Sequence, residues 1–243
     1  MIKAVYPEAR YFKEIVDALS KIVDEVALQF QKDKLKITAM DISNIALIDI
    51  EIPSEAFPEF TVESPLNIGV SVANLNKILK KAKKGDRLTI EGNEEYVELT
   101  LLSSIKRSYK FRNLDVKPPE IPLSNLEFNV EARLIASSLK DAVKDVEQVA
   151  EKIEFEASEN ELIVRGRGTG SVEAKYGMGS PALISLSVKE KSKSSYQVSY
   201  ISSVIGLSKI SDTIALRFSN DSPLQLEFSL GTGRILFLLA PAL

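Results

Sequence analysis

Four lysines recur at helical spacing in the stretch VANLNKILKKAKK, residues 72–84. In a helix, Lys77, Lys80, Lys81 and Lys84 stand at i, i+3, i+4 and i+7 and form one cationic stripe. The opposite, apolar face consists of Val72, Leu75, Ile78, Leu79 and Ala82. No carboxylate lies inside the stretch, so the like charges repel by a few tenths of a kcal/mol per pair. The stripe therefore predicts an anion outside the helix; the alternative is a solvated lysine face at a helix C-terminus, where the helix dipole favours cations.

A second basic stripe is predicted further along the chain. In a helix predicted over residues 133–146, Arg133, Ser137, Lys140 and Lys144 follow at i, i+4, i+7 and i+11. A helix predicted over residues 9–22 carries Arg10, Lys13 and Lys21 on its outer face, diluted by Glu14 and Asp17. The whole chain has a net charge of -3, from 31 basic and 34 acidic residues, so anion binding must be local.

The composition excludes most enzyme chemistry. Cys and His are both absent, which removes thiolate nucleophiles, zinc sites built on those residues and Ser-His-Asp relays. A carboxylate magnesium site or a lysine Schiff base stays possible, but no DxD pair, Walker A loop or GxGxxG turn supports one. We expect no enzymatic activity, no cofactor and no metal. The absence of a long apolar run or a signal peptide favours a cytoplasmic protein with no membrane contact.

The predicted elements repeat. Each half of the chain reads strand, helix, five short strands, helix, three strands, which predicts a duplicated α+β unit. The fourth helix is predicted over residues 201–210, and the first strand of the second half over residues 126–130. Between the halves, NLDVKPPEIPLSN has three prolines and no periodicity, as in a linker. The predicted boundaries are residues 1–112 for the first domain, 113–125 for the connector and 126–243 for the second domain.

Several segments resemble one known family. MDISNIAL at residues 40–47 resembles the MDxSHVxL signature of the sliding clamp called proliferating cell nuclear antigen. IGVSVANLNKILKKA at residues 68–82 is similar to the lysine helix of that clamp, and YKFRNLD at residues 109–115 to the strand that leads into its connector. The sequence LAP at residues 239–241 matches the motif near its C-terminus. These anchors have the family's order and compatible spacings over essentially the whole chain.

The resemblance implies a fold of two similar domains per subunit, with three subunits closing an archaeal-type ring around duplex DNA. Its helices would line the hole and place the following side chains against phosphates: Lys13, Lys77, Lys80, Lys81, Lys84, Arg133, Lys140, Lys144 and Lys209. The implied function is that of a processivity factor in DNA replication and repair, associated with the nucleoid. Lysine contacts to phosphates carry no base information, which fits binding without sequence specificity. The sequence departs from the family in its fourth helix, which carries only Lys209.

The resemblance also implies a pocket for short peptides of client enzymes: DNA polymerase, the clamp loader, flap endonuclease and DNA ligase. Its positions would be Met40, Asn44, Ile45, Leu47, Ile121, Pro122, Leu126, Pro223, Leu238, Leu239, Ala240 and Pro241. Asn44 stands where the family leads one to expect histidine. The alternative is that Leu47 and Leu239 are ordinary core residues. The tail of residues 238–243 is apolar and favours strand addition by a partner's peptide.

Ring closure, carried over from the same resemblance, would pair two edge strands of neighbouring subunits. One strand supplies Lys106, Arg107, Tyr109, Lys110 and Arg112; the other supplies Ser171, Glu173 and Lys175. Exposed edges are an association hazard unless they are paired, so a partner is expected. Whether the ring contains one kind of subunit or several sister subunits stays open, because the basic edge meets only one carboxylate. Two alternatives to the clamp remain: a platform that scaffolds clients while binding DNA poorly, and a carboxylate-metal nuclease.

Overall fold

The computed structural model describes residues 1–120 and 126–242. These residues form two compact units. Unit 1 comprises Met1–Ile42, Ile48–Glu120 and Leu230–Ile235; unit 2 comprises Ser43–Leu47, Ile121–Ser229 and Leu236–Leu243. The domain boundaries of the sequence analysis, 1–112, 113–125 and 126–243, remain a prediction.

The elements of the first half begin with strand β1 and helix α1 and end with strand β9. In order they are β1 (Ile2–Tyr6), α1 (Ala9–Leu19), β2 (Glu25–Phe30), β3 (Lys34–Met40), β4 (Ala46–Pro53), β5 (Glu59–Val62), β6 (Leu66–Ser71), α2 (Val72–Leu79), β7 (Arg87–Gly92), β8 (Tyr96–Leu102) and β9 (Lys106–Arg112). A single 3-10 turn, Ser54–Ala56, follows β4.

The second half repeats this order. Its elements are β10 (Val130–Ile135), α3 (Ala136–Val149), β11 (Lys152–Ser158), β12 (Glu161–Arg167), β13 (Ser171–Gly177), β14 (Leu183–Val188), β15 (Ser192–Gln197), α4 (Val198–Val204), β16 (Thr213–Phe218), β17 (Leu224–Leu230) and β18 (Gly233–Leu239). The predicted α+β duplication is confirmed, strand for strand, in the residues that the structure describes.

Each unit contains antiparallel sheets. In unit 1 the strands run in the orders β5-β1-β7-β8-β9 and β6-β2-β3-β4. In unit 2 they run in the orders β14-β10-β16-β17 and β13-β12-β11-β15. Strands β9 and β13 therefore each end a sheet, and among the described residues neither has a strand paired to its outer edge.

The helices bury one apolar face each. Phe12, Ile15, Val16 and Leu19 of α1 are fully buried, as are Leu139, Val143 and Val146 of α3. Ser71 caps α2, because its hydroxyl accepts a hydrogen bond from the N–H of Asn74 at 3.4 Å. The i, i+3, i+4, i+7 spacing of the apolar residues thus places the helices on their sheets.

Helix α2 is shorter than its sequence pattern predicts. It ends at Leu79, and residues 80–84 form turns instead of a further helical turn. The carboxylate of Asp86 accepts a hydrogen bond from the N–H of Lys83 at 2.8 Å, and Gly85 adopts a left-handed φ of 85°. These two features fix the turn through which the chain enters β7, and residues 80–84 therefore do not continue the helix.

The predicted start of the third helix is wrong. Arg133 lies in β10, and α3 begins at Ala136. The alternation of buried Val130, Ala132 and Leu134 with more exposed neighbours is a strand pattern. The strand predicted over residues 126–130 lies further along the chain for the same reason: this alternation continues through residue 135, so β10 spans Val130–Ile135. Helix α4 begins at Val198 and continues as a 3-10 helix over Ile205–Lys209, earlier than the predicted residues 201–210.

The described residues contain neither a membrane-spanning helix nor a cluster of carboxylates for a metal ion. None of their helices has the length and apolar content to cross a membrane. Within the same residues, no group of three or more acidic side chains is arranged to hold a metal ion.

Candidate nucleic-acid interface

Unit 1 presents five lysines at the C-terminal end of α2, which we call the α2 lysine cluster. Its members are Lys77, Lys80, Lys81, Lys83 and Lys84, and all five side chains are exposed. Among the described residues, none of them has a carboxylate oxygen within 4.0 Å of its ammonium nitrogen. Five cations within eight residues, none of them in a side-chain ion pair among the described residues, form a strongly positive surface.

Backbone contacts hold this cluster beside the start of α1. The N–H of Ala9 donates to the carbonyl of Asp86 at 2.8 Å. The Glu8 carboxylate accepts a hydrogen bond from the N–H of Gly85 at 3.2 Å. The lysines that follow α2 therefore stand on a fixed turn and not on a frayed helix end. Lys83, which helical spacing did not place in the stripe, joins the cluster because the helix ends early.

Lys13 of α1 differs from the α2 lysine cluster, although both were predicted to contact DNA. Its ammonium nitrogen lies 3.7 Å from Glu14 Oε1 and 3.7 Å from Asp17 Oδ2. Two carboxylates thus compete with any phosphate for this side chain. We expect Lys13 to add little to the positive surface of unit 1.

Unit 2 carries a weaker basic face. Lys140 and Lys144 stand at i and i+4 on α3, and among the described residues neither has a carboxylate oxygen within 4.0 Å. Asp141 and Asp145 lie on the same helix next to Tyr176. Burial raises the pKa of Tyr176, and these two carboxylates raise it further. Helix α3 therefore presents a lysine row beside an aspartate row.

The fourth helix adds almost no charge. Helix α4 exposes Ser199, while Ser203 is half-buried and the Ser202 hydroxyl is buried, and Lys209 is exposed at the end of the 3-10 helix that follows. Arg133 does not belong to this face. It lies beside Glu131 on the face of its sheet opposite the buried Val130 and Ala132, so the predicted stripe of Arg133, Ser137, Lys140 and Lys144 is wrong at its first member.

The predicted client-pocket residues differ in burial. In unit 2, Leu47 and Leu239 are buried core residues, as the alternative held. Asn44, Ile45 and Leu126 are exposed, and Pro223, Leu238, Ala240 and Pro241 are half-buried. Met40 is half-buried in unit 1, while Ile121 and Pro122 lie outside the described residues. In the first predicted segment Asn44 and Ile45 are thus exposed and the next two residues buried, while in the second, 238–241, Leu239 is buried between half-buried neighbours.

Backbone hydrogen bonds bring the C-terminal tail and the 44–47 segment together. The N–H of Ala240 donates to the carbonyl of Ile45 at 2.9 Å, and the N–H of Ala242 donates to the carbonyl of Ser195 at 2.8 Å. Asn44 has a left-handed φ of 56°, a conformation that asparagine tolerates better than most residues. The tail is therefore already paired as an extended segment through Ala242.

The outer edges of β9 and β13 expose alternate backbone groups. In the β8–β9 hairpin, hydrogen bonds from Asn113 to Glu95 and from Ser103 to Ile105 fix which residues face β8. By alternation, Lys106, Ser108, Lys110 and Arg112 direct their N–H and C=O groups to the free edge. The same argument applies to β13, where Met178 bonds to Asn160 and Gly168 to Gly170. There the outward-facing residues are Ser171, Glu173, Lys175 and Gly177.

An ion network covers the sheet behind β13. Arg165 binds Glu156 and Glu173 through charge-assisted hydrogen bonds, and Lys175 lies 3.2 Å from Glu173. Lys191 lies 3.0 Å from Glu156. Hydrogen bonds from Arg165 and Lys191 lower the pKa of Glu156 from 4.5 to about 2. Hydrogen bonds from Arg165 and Lys175 lower the pKa of Glu173 as well, so its carboxylate is held in place on β13 as an anion.

This network predicts a pH dependence of stability. A carboxylate with a lowered folded-state pKa stabilises the fold above its unfolded pKa, and this contribution disappears as the pH falls from about 5 to about 2. We expect Glu156→Gln to lower the free energy of unfolding by about 1–2 kcal/mol at pH 7 and by little near pH 2. Urea denaturation at both pH values measures this. Exposed Glu159, replaced by Gln, is the matched control, and equal effects of the two variants at pH 7 would contradict the prediction.

The duplicated units, each with a helix pair and a free edge strand, define a DNA-clamp fold. Family models agree: residues 1–125 match the proliferating cell nuclear antigen N-terminal domain and residues 122–243 match the C-terminal domain. The chain belongs to the proliferating cell nuclear antigen family.

Named relatives come from archaea. The chain is 37% identical over 241 residues to a DNA polymerase sliding clamp of Pyrococcus furiosus, covering 98% of this chain and 96% of the relative. It is 36% identical to DNA polymerase sliding clamp 1 of Sulfurisphaera ohwakuensis, covering 100% of both.

Two solved structures have nearly the same fold. The PCNA crystal structure from Thermococcus kodakaraensis superposes with a TM-score of 0.93 at 30% identity and full coverage of both chains. A chain of the PCNA2-PCNA3 complex from Sulfolobus tokodaii gives a TM-score of 0.93 at 28% identity and covers 98% of both chains.

Proposed function

We propose that the chain is a subunit of a DNA sliding clamp that encircles duplex DNA and tethers DNA polymerase and other replication and repair enzymes at the nucleoid. The single observation that supports this most is the α2 lysine cluster: five exposed ammonium groups with no carboxylate partner among the described residues. Duplex DNA supplies a regular row of phosphates that such a surface can neutralise.

The chemistry of the cluster favours mobile contacts. A lysine ammonium is a compact, hydrated point charge on a flexible stem, so it can pass from one phosphate to the next through water. Phosphate contacts position a protein on DNA but carry no sequence information. The chain as a whole is acidic, with a net charge of -3, which disfavours adhesion of DNA to other surfaces. Binding without sequence preference follows from these properties.

The client site in this proposal lies at the segment 44–47 and the C-terminal tail. Ile45 is 37% exposed and lies where the tail pairs with its carbonyl, so it offers an apolar contact to a peptide of DNA polymerase, the clamp loader, flap endonuclease or DNA ligase. Exposed apolar side chains beside buried neighbours are the usual anchors of peptide grooves.

Ile45→Ser tests this site. We expect binding of a fluorescent peptide from an archaeal replicative polymerase to weaken about tenfold, because removal of a central apolar side chain costs about 1–2 kcal/mol. Fluorescence anisotropy measures the affinity. Ile184, 48% exposed on β14, gives the control variant Ile184→Ser, which should bind normally. Equal affinity of both variants and the unaltered protein would contradict the proposed site.

The sparse charge on the other three helices favours the second candidate, a platform that assembles clients while binding DNA poorly. Lys13 is ion-paired, α3 carries an aspartate row and α4 contains no charged residue, so within the described residues the strongly basic surface is confined to the α2 lysine cluster. The platform would bring enzymes together without needing the α2 lysine cluster.

Primer extension tests the clamp proposal directly. On a long primed duplex with free ends, onto which a ring can thread, the protein should lengthen the products of an archaeal replicative polymerase made in a single binding event. Blocking both ends with a bound protein before the clamp is added should abolish the effect. Equal product lengths with and without the protein would overturn the proposal.

A further inference from the structure

We infer that β14 is an edge at which a second copy of this chain docks, and that the two β14 strands pair antiparallel about a two-fold axis at Leu186. The inference goes beyond the proposed clamp function, because β14 is separate from β9 and β13, the strands expected to close a ring. It rests on the free backbone groups of β14, on its lack of charge and on the charged residues that flank it.

Among the described residues, β14 is the one sheet edge without a protective feature. Strands β5, β6, β9, β13, β14 and β15 each have a strand neighbour on one side only. Such edges invite pairing with other chains, and proteins usually block them with charged side chains, with proline or with a covering segment. An edge that is not blocked is therefore a candidate for association.

The other five edges are charged or covered. β5 contains Glu59. β6 is covered where the N–H of Leu114 donates to the carbonyl of Gly69 at 3.0 Å, and β15 where the N–H of Ala242 donates to the carbonyl of Ser195 at 2.8 Å. β9 and β13 contain the charged residues Lys106, Arg107, Lys110, Arg112, Glu173 and Lys175.

β14 has none of these features. Its sequence is LISLSV, six uncharged residues without proline or glycine, a composition typical of strands that associate with each other. Ile184 is 48% exposed, and Leu186 and Val188 are half-buried. A partner strand would cover these three apolar side chains.

Hydrogen bonds fix which backbone groups of β14 are free. The N–H of Lys189 donates to the carbonyl of Asn129 at 2.7 Å, so Lys189 directs its backbone groups to β10. Because these directions alternate along a strand, Leu186 and Val188 direct their N–H and C=O groups to the outer edge. A second strand can therefore pair with this edge without breaking a bond to β10.

The pairing segment is limited at both ends. At its start, the N–H of Leu183 already donates to the carbonyl of Ser180 at 3.1 Å, and the register to β10 shifts at the same point. At its end, the charged segment 189–193 begins. Residues 184–188 are therefore the stretch that can pair, and Leu186 is their centre.

Charge favours a second copy in antiparallel orientation. Two identical strands about a two-fold axis set Leu186 opposite itself and Ser185 opposite Ser187, so no like charges meet. The lysines of segment 189–193 then lie at opposite ends of the joined strands. Parallel pairing would instead place the two segments side by side, with lysine next to lysine. Self-pairing requires an uncharged strand, because the residue at the axis meets its own copy.

Two double variants test this pairing by sedimentation velocity at several protein concentrations, without DNA. Ser185→Lys with Ser187→Lys sets lysine opposite lysine twice across the axis and should weaken the association at least roughly tenfold. Ser185→Glu with Ser187→Lys sets glutamate opposite lysine twice and should restore it. A slip by two residues would set position 185 or 187 opposite itself, so that like charges would meet in both variants.

Glu159→Lys, in the exposed turn between β11 and β12, is the control for charge. Replacing one carboxylate by one ammonium changes the net charge as much as two added lysines do, yet this variant should associate like the unaltered protein. Equal association of the unaltered protein and the double-lysine variant would overturn pairing through β14 and leave this edge to an extended peptide of another protein. Failure of the glutamate–lysine variant to recover would overturn the antiparallel register.

Single cysteines locate the axis, since the chain has no cysteine of its own. Tagged Ser185→Cys protein is mixed with untagged Ser187→Cys protein and mildly oxidised. Mixed dimers should predominate on a denaturing gel, because the two sulfur atoms face each other across the strands at a distance that a disulfide can bridge. Dimers of like variants should form at least roughly tenfold more slowly. Predominance of like dimers, or absence of any linked dimer, would overturn the two-fold axis at Leu186.

Discussion

Replacing Lys77, Lys80 and Lys81 by alanine is expected to reduce the slope of log K against log salt by about 2.7 for duplex DNA, at about 0.9 for each phosphate that is no longer neutralised. These side chains are exposed and have no carboxylate partner among the described residues, so phosphates are their natural counterions. Fluorescence anisotropy with a labelled duplex, measured at several salt concentrations, gives the slope. Binding should weaken to a similar extent on unrelated DNA sequences, because phosphate contacts do not read bases.

Lys13→Ala is the matched control for that experiment. Because Glu14 and Asp17 each lie 3.7 Å from its ammonium nitrogen, its removal should change the slope much less than the removal of one lysine of the α2 lysine cluster. An unchanged slope in the triple variant would contradict the DNA-binding role of the cluster and favour the platform. Unchanged thermal unfolding of both variants would show that the effect is not one of stability.

Gly69→Ala is expected to lower the free energy of unfolding by about 3 kcal/mol, the largest effect we predict for a single added methyl group. A Cβ at position 69 would lie 2.0 Å from the carbonyl oxygen of Leu114, which is backbone and cannot rotate away. The two segments touch there because the N–H of Leu114 donates to the carbonyl of Gly69 at 3.0 Å, while Asn113 Oδ1 accepts from the N–H of Gly69 at 2.7 Å. Urea denaturation of the purified variant measures the decrease.

Gly177→Ala provides the control, since a Cβ there meets no atom within 4 Å. Its stability should stay within about 0.5 kcal/mol of the unaltered protein. A Gly69→Ala variant as stable as this control would show that residues 113–116 are not held against β6.

Periodicity was sufficient to predict the order of elements. Alternating apolar residues mark β7, β8, β16 and β17, and the 3.6-residue spacing marks α1 and α3, because burial of one face dictates both patterns. The element boundaries were less predictable. Lys80, Lys81 and Lys84 fit a helical wheel as well as Lys77 does. However, Gly85 and Asp86 build a turn that the spacing of apolar residues does not reveal.

The candidate site was predictable in part for the same physical reason. Sequence spacing shows which residues share a helix face, but not whether a carboxylate neutralises them, as Glu14 and Asp17 do for Lys13. Arg133 was assigned to the helix because residues 133–135 fit the apolar spacing of a first helical turn as well as the end of a strand. In the structure they are the last three residues of β10.

Topological retention on DNA is the measurement that tests the central claim most directly. A linear duplex is fixed to a surface at one end, the protein is added, the free end is blocked, and the complex is washed with concentrated salt that screens lysine–phosphate attraction. If the chain forms a ring around DNA, the protein stays bound through the wash and leaves when a restriction enzyme cuts the duplex. Release of the protein by the salt wash alone, at the same rate from blocked and open duplexes, would contradict it.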